Sequence, residues 1–187
     1  DGTLAIAPAP ELEALRLNPR RQTGTRVPEG SEVTLRGISG NVIELLLRID
    51  PGDATEVGVK VLCAPDGSEQ TTISYVPGEW KLQVDFRRSS LAKNLQYWDY
   101  DPVREEAFRT SGAVQAAPFQ LAEGEPLELR VFIDRSVIEV FANHRQTLTQ
   151  RVYPTRADSA EVRLFAAGGA AHATVVDAWD MEPVAQW

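Results

Sequence analysis

Three aromatic residues within one short stretch, Tyr97, Trp98 and Tyr100, are the strongest recognition candidates in this 187-residue chain. Exposed aromatic faces on a loop stack on sugar rings or anchor protein interfaces. The competing reading folds them inward as a cap on one end of a core. Acidic chemistry needs more than one carboxyl: cleaving a glycosidic bond takes a pair flanking it. Asp134 and Glu139 stand five positions apart, on either side of a turn signal. Asp134, followed by Arg135 and Ser136, reads as a turn residue. Glu139, between Val137 and Phe141, reads as a strand residue facing Arg130 or Arg151. His144 and His172 are the only histidines. Neither has a further His, Cys or carboxylate at ligand spacing, so no metal site is assigned. Nothing positions Ser136 and a histidine as a triad, and no GxSxG elbow or phosphate-binding glycine loop occurs. On this reading the chain has no catalytic residue of its own and needs no cofactor.

The elements that must position these residues are strands. From Glu125 to Pro154 the sequence reads EPLELRVFIDRSVIEVFANHRQTLTQRVYP, three alternating runs broken by Asp134-Arg135-Ser136 and by Asn143-His144-Arg145. Period-two alternation with short polar breaks marks consecutive antiparallel strands. Ile43, Leu45, Leu47 and Ile49 alternate in the same way, as do Val57, Val59 and Val61 after Asp50-Pro51-Gly52. Ala64-Pro65-Asp66-Gly67 turns the chain into a return strand over Thr71–Tyr75. Trp80, Leu82, Val84 and Phe86 then share one face, which places Trp80 in the core with Trp179. Residues 1–22 read as a lead-in linker with a short helix after Pro8 and Pro10. Residues 23–187 read as the strand-rich domain, interrupted by an excursion over 87–115 too long for a hairpin loop. Strands without any βαβ pattern predict an all-β antiparallel two-sheet β-sandwich.

Composition limits the partners. Apolar residues make up 43%, enough for a packed core, and 19 Lys+Arg against 27 Asp+Glu leave a net charge of −8. That sign speaks against nucleic acid, whose binding rests on phosphate neutralisation, and gives no attraction to an anionic membrane. No apolar run nears the roughly 20 residues needed to cross a bilayer as a helix. Cys63 is the single cysteine, so no intrachain disulfide forms, and it reads as a small buried apolar residue. Asp1 opens the chain without an initiator Met or the basic and apolar regions of a signal peptide, so the chain is read as a fragment or a processed piece.

The string LRVFIDRSVIEVFAN (Leu129–Asn143), followed by LTQRVYP and VRLFAAGG, resembles the C-terminal β-sandwich module of glycoside hydrolase family 32. That family contains invertases, levanases and inulinases. The likeness extends more weakly to ELEALR, CAPDGSEQTTISY and ATVVDAWDM. The resemblance implies a lectin-like (concanavalin-like) jelly roll. It also implies a parent enzyme that hydrolyses β-fructosidic bonds of sucrose, levan or inulin with retention. In the family the three catalytic carboxylates lie in an N-terminal five-bladed β-propeller, within Trp-Met-Asn-Asp-Pro-Asn, Arg-Asp-Pro and Glu-Cys motifs. The stretch from Tyr97 to Pro102 superficially echoes the first motif but lacks the Asn before its Asp, and no position carries over. The leading expectation is therefore a non-catalytic module stabilising the propeller. A carbohydrate-binding module for fructan, using Tyr97, Trp98 and Tyr100, is the second reading, and an oligomerisation module the third.

Overall fold

A computed structural model describes residues 4–101, 106–110 and 113–183, with the backbone alone over 98–101 and 106–110. A 3₁₀ turn over Pro10–Leu15 leads into β1 (Arg16–Val27), β2 (Ser31–Ser39), β3 (Val42–Asp50), β4 (Glu56–Cys63) and β5 (Thr71–Val76). Then come β6 (Lys81–Asp85), β7 (Tyr97–Asp101), β8 (Glu106–Thr110), β9 (Val114–Pro118) and β10 (Leu127–Asp134). The last four are β11 (Val137–Ala142), β12 (Gln146–Arg151), β13 (Glu161–Ala167) and β14 (Ala171–Met181). Two six-stranded antiparallel sheets result, one ordered β1-β14-β3-β10-β11-β12 and the other β2-β13-β4-β5-β6-β9. The β7–β8 hairpin stands apart as a two-stranded ribbon inside the 87–115 excursion. The fold is a two-layer antiparallel β-sandwich.

Register explains why the layers close. Ile49, Leu47, Leu45 and Ile43 on β3 lie opposite Leu127, Leu129, Val131 and Ile133 on β10. All eight are essentially inaccessible to solvent. Each such side chain contributes about 1.5–3 kcal/mol on removal from water. The facing sheet answers with Val57, Val59 and Val61, Ile73 and Tyr75, Leu82 and Val84, and Val162 and Leu164, all buried. A Cβ on Gly58 would lie 2.0 Å from the Ile73 carbonyl oxygen, so β4 and β5 approach there as closely as only glycine permits.

The turns fix the meander. Asn143 and His144 both take left-handed backbone, with φ 45° and 54°, and Arg145 N–H donates to Ala142 O at 2.9 Å. This is the hairpin geometry that demands positive φ at both central residues. Asn143 Oδ1 also accepts from Glu128 N–H at 2.8 Å, and its Nδ2 donates to Pro126 O at 2.9 Å.

Several placements depart from the sequence expectations. Trp179 is only half-buried and lies outside the core, on the outward face where the Arg16 guanidinium covers its ring. Trp80 is 62% exposed and not in the core. Its backbone is left-handed (φ 49°) where the Pro77–Glu79 turn ends, with Trp80 N–H donating to Pro77 O. That conformation breaks the alternation, and β6 begins only at Lys81. Strand structure also starts earlier than residue 23. β1 opens at Arg16 as the edge strand against β14, with its register shifting between Leu17 and Arg20. Asn18 at positive φ and Pro19 mark that irregularity, and a proline without an N–H is tolerated there because β1 is an edge strand.

Candidate docking face and edge cleft

Alternation in β3 and β10 sends Glu44, Leu46, Arg130 and Phe132 outward, away from the core. There Glu44 is nonetheless completely buried, because the chain covers it. Arg16 grips its carboxylate in a bidentate pair, Nε to Oε2 at 2.8 Å and Nη2 to Oε1 at 2.7 Å. Arg130 Nε donates to Oε1 at 2.6 Å. Glu13, in the lead-in, lies 3.4 Å from Arg16 and 3.5 Å from Arg130. The Arg16 guanidinium stacks 4.1 Å from the Trp179 ring centre, and Arg130 lies 5.3 Å from that of Phe132. Donating its hydrogen bonds to Glu44 raises the Arg16 pKa above its ordinary value, offset in part by burial. Residues 4–15 thus form a strap across this face, with Ile6 N–H donating to His144 O at 2.8 Å. Beside the strap Leu12, Leu15, Phe132, Asp134, Glu139 and Met181 line a groove of about 560 Å³. Phe132 meets Phe141 edge-on at 6.2 Å.

The outer face of the other sheet is a polar lattice. Lys60 pairs with Glu32 at 2.5 Å, Arg163 with Glu161 at 2.7 Å, and Arg87 with Asp85 at 2.5 Å. Glu56 Oε1 accepts from Ser74 and Gln83. Burial pushes the Glu32 carboxyl up, but hydrogen bonds and charge from Lys60 and Arg163 outweigh it and hold its pKa below the ordinary value.

Of the three aromatic candidates, Tyr97 is buried, at 7% exposure. It packs against Phe86 at 5.0 Å and Tyr153 at 5.7 Å, and its hydroxyl lies 3.2 Å from Ser89 Oγ. Trp98 and Tyr100 lie on β7, but their side chains are outside the described residues. A cleft of about 630 Å³ opens where the sheet edges β9 and β12 meet, lined by Gln96, Tyr97, Gln115, Gln150, Arg151 and Tyr153 among others. Tyr153 shows 36% of its surface.

The remaining candidates separate. Asp134 and Glu139 are both exposed and share the groove beside the strap. Glu139 faces Phe132 and Thr149, not Arg130 or Arg151; Arg130 is taken by Glu44. Ser136 and His144 sit beyond opposite ends of β11, roughly 20 Å apart at about 3.3 Å per residue. His144 lies beside Glu128 at 3.4 Å. Burial pushes the Cys63 thiol up to about 12, which leaves it protonated and unreactive at neutral pH. Among the described residues no His, Cys, Asp or Glu side chains group as metal ligands.

Sequence reasoning missed Glu69 altogether. Its carboxylate is fully buried and accepts from Leu91 N–H (2.9 Å), Thr155 N–H (2.8 Å), Thr155 Oγ1, Arg156 N–H (3.1 Å) and Ser159 Oγ (2.6 Å). Burial raises its pKa, but hydrogen bonds from Ser159, Thr155 and Arg156 outweigh that and leave it lowered. The group clamps the 152–160 segment and Leu91 to the β4–β5 turn.

A family model, glycosyl hydrolases family 32 C terminal, matches residues 11–180. The chain belongs to this family. The family 32 C-terminal domain is 32% identical to the levanase of Bacillus subtilis (strain 168) over 165 residues, which are 87% of this chain and 22% of the levanase. It is 28% identical to beta-fructofuranosidase 1 of Zea mays, over 90% of this chain and 28% of that protein. Among solved structures it is similar in fold to fructan 1-exohydrolase IIa from Cichorium intybus, with a TM-score of 0.75 and 20% identity, covering 94% of this chain and 37% of that one. The Aspergillus kawachii beta-fructofuranosidase gives a TM-score of 0.75 at 22% identity, covering 98% and 32%. The chain therefore spans between about a fifth and two-fifths of the length of these relatives.

Proposed function

We propose that this domain is the non-catalytic module of a β-fructosidase that hydrolyses sucrose, levan or inulin, and that it holds an N-terminal β-propeller catalytic domain in shape. The observation that carries this reading is the family match over residues 11–180, in a chain that covers only 22% of the levanase it resembles. The docking surface is the strapped face. In this reading the preceding domain reaches the sandwich through residues 4–15, which already lie on that face. Phe132, Phe141 and Met181 offer apolar surface beside the strap, while the opposite face carries the polar pairs of Lys60, Arg163 and Arg87.

The test is fructose release. The isolated chain should liberate none from sucrose, levan or inulin. Joined to the catalytic domain, it should lengthen that domain's half-life at elevated temperature. Turnover by the isolated chain, or a catalytic domain equally stable without it, overturns the proposal.

A further inference from the structure

We propose that the cleft between β9 and β12 is a binding site for a neutral saccharide ring. The site stands apart from the strapped face, and the inference does not rest on the docking reading. β9 is the edge of one sheet and β12 the edge of the other. At one end the two edges are tied, Gln146 Nε2 donating to Pro118 O at 3.0 Å. At the other end they splay, with Val114 and Gln115 on one lip and Thr149, Gln150 and Arg151 on the other. The resulting volume of about 630 Å³ falls in the range of small-molecule sites, roughly 300–1,000 Å³.

Its lining has the two features a sugar needs. Tyr153 offers a partly exposed ring, held by Tyr97 behind it at 5.7 Å, with Tyr97 in turn fixed by Phe86. The C–H face of a saccharide stacks on such a ring. Gln115 Oε1 is shielded from solvent and has no hydrogen-bond partner among the described residues. A buried acceptor left unmade is costly, so it calls for a donor, and a sugar hydroxyl supplies one. Arg151, 5.6 Å from the Tyr153 ring centre, supplies donors on the opposite lip. No carboxylate is among the described lining residues.

Titration of the 187-residue chain with fructose, sucrose and a short levan oligosaccharide, followed by saturation-transfer NMR and calorimetry, tests this. Saturable binding is expected, weakened about tenfold or more by Tyr153→Ala and retained in Tyr153→Phe, because the ring face carries the contact. Gln115→Leu, which keeps the side-chain size, should weaken it as well. Trp80→Ala, an exposed aromatic outside the cleft, should change nothing. Should Tyr153→Ala lose its fold, Gln115→Leu decides alone. Absence of binding to all three saccharides, binding indifferent to Gln115→Leu, or a response to inorganic phosphate alone overturns the inference.

Discussion

The two outer faces of the sandwich are built from the same alternation yet solve opposite problems. On the β3–β10 side a fully buried carboxylate, Glu44, sits under two arginines and a strap from the chain's own lead-in, beside half-buried aromatic rings. On the β4–β13 side Lys60, Arg163 and Arg87 reach carboxylates that remain partly in water. Desolvated pairs are strongly destabilising when one partner is removed, and solvated pairs are not. The difference teaches that one face is organised to be covered and the other to stay wet, although their charge content looks alike in the sequence.

The largest effect should come from Glu44→Ala, which strands Arg16 and Arg130 against an apolar surface. A loss of about 3–5 kcal/mol is expected in chemical denaturation. A cost below about 1 kcal/mol would place Glu44 with the solvated pairs and erase the contrast. Glu69→Gln comes next, since hydrogen bonds to a charged group contribute about 1.5–3 kcal/mol. Its folded pKa is lowered, so its stabilisation is fully present above pH ~4.5 and is lost as pH falls through the lowered value. Unfolding midpoints of Glu69→Gln should accordingly fall less on acidification than those of the parent chain.

Docking ranks third. Phe132→Glu should leave the isolated chain folded and weaken its association with the catalytic domain at least about tenfold. Thr72→Glu, on the polar face where Thr72 lies opposite Lys60 and Asp85, should leave association unchanged, and equal losses from both would dissolve the distinction. The smallest effect belongs to Glu32→Ala, at most about 1 kcal/mol at pH 7 for a partly solvated pair. Glu32 also has a lowered folded pKa, so even this modest contribution should be full above pH ~4.5 and fade as pH falls through the lowered value.

The sandwich was legible where alternation is strict. β3, β4 and β10 through β12 read directly from their period, because one buried face imposes it. β1 did not, because RLNPRRQTGTRV is a bulged edge strand with few core positions to alternate. Trp80 misled because a single left-handed residue ends the parity of its run. Glu44 and Glu69 were invisible for a different reason. Their partners lie between 22 and 90 residues away, and nothing in a local window reports a charge neutralised by a distant strand. Tyr153, two residues past β12, gave no sign in the sequence that its ring packs against Tyr97.

Hydroxyl-radical footprinting of the chain alone and joined to the catalytic domain tests the two-face account most directly. Phe132, Phe141 and Met181 should lose labelling on joining, while the exposed Trp80 keeps its own. Protection of Trp80 with unchanged labelling at Phe132 and Met181 would contradict it.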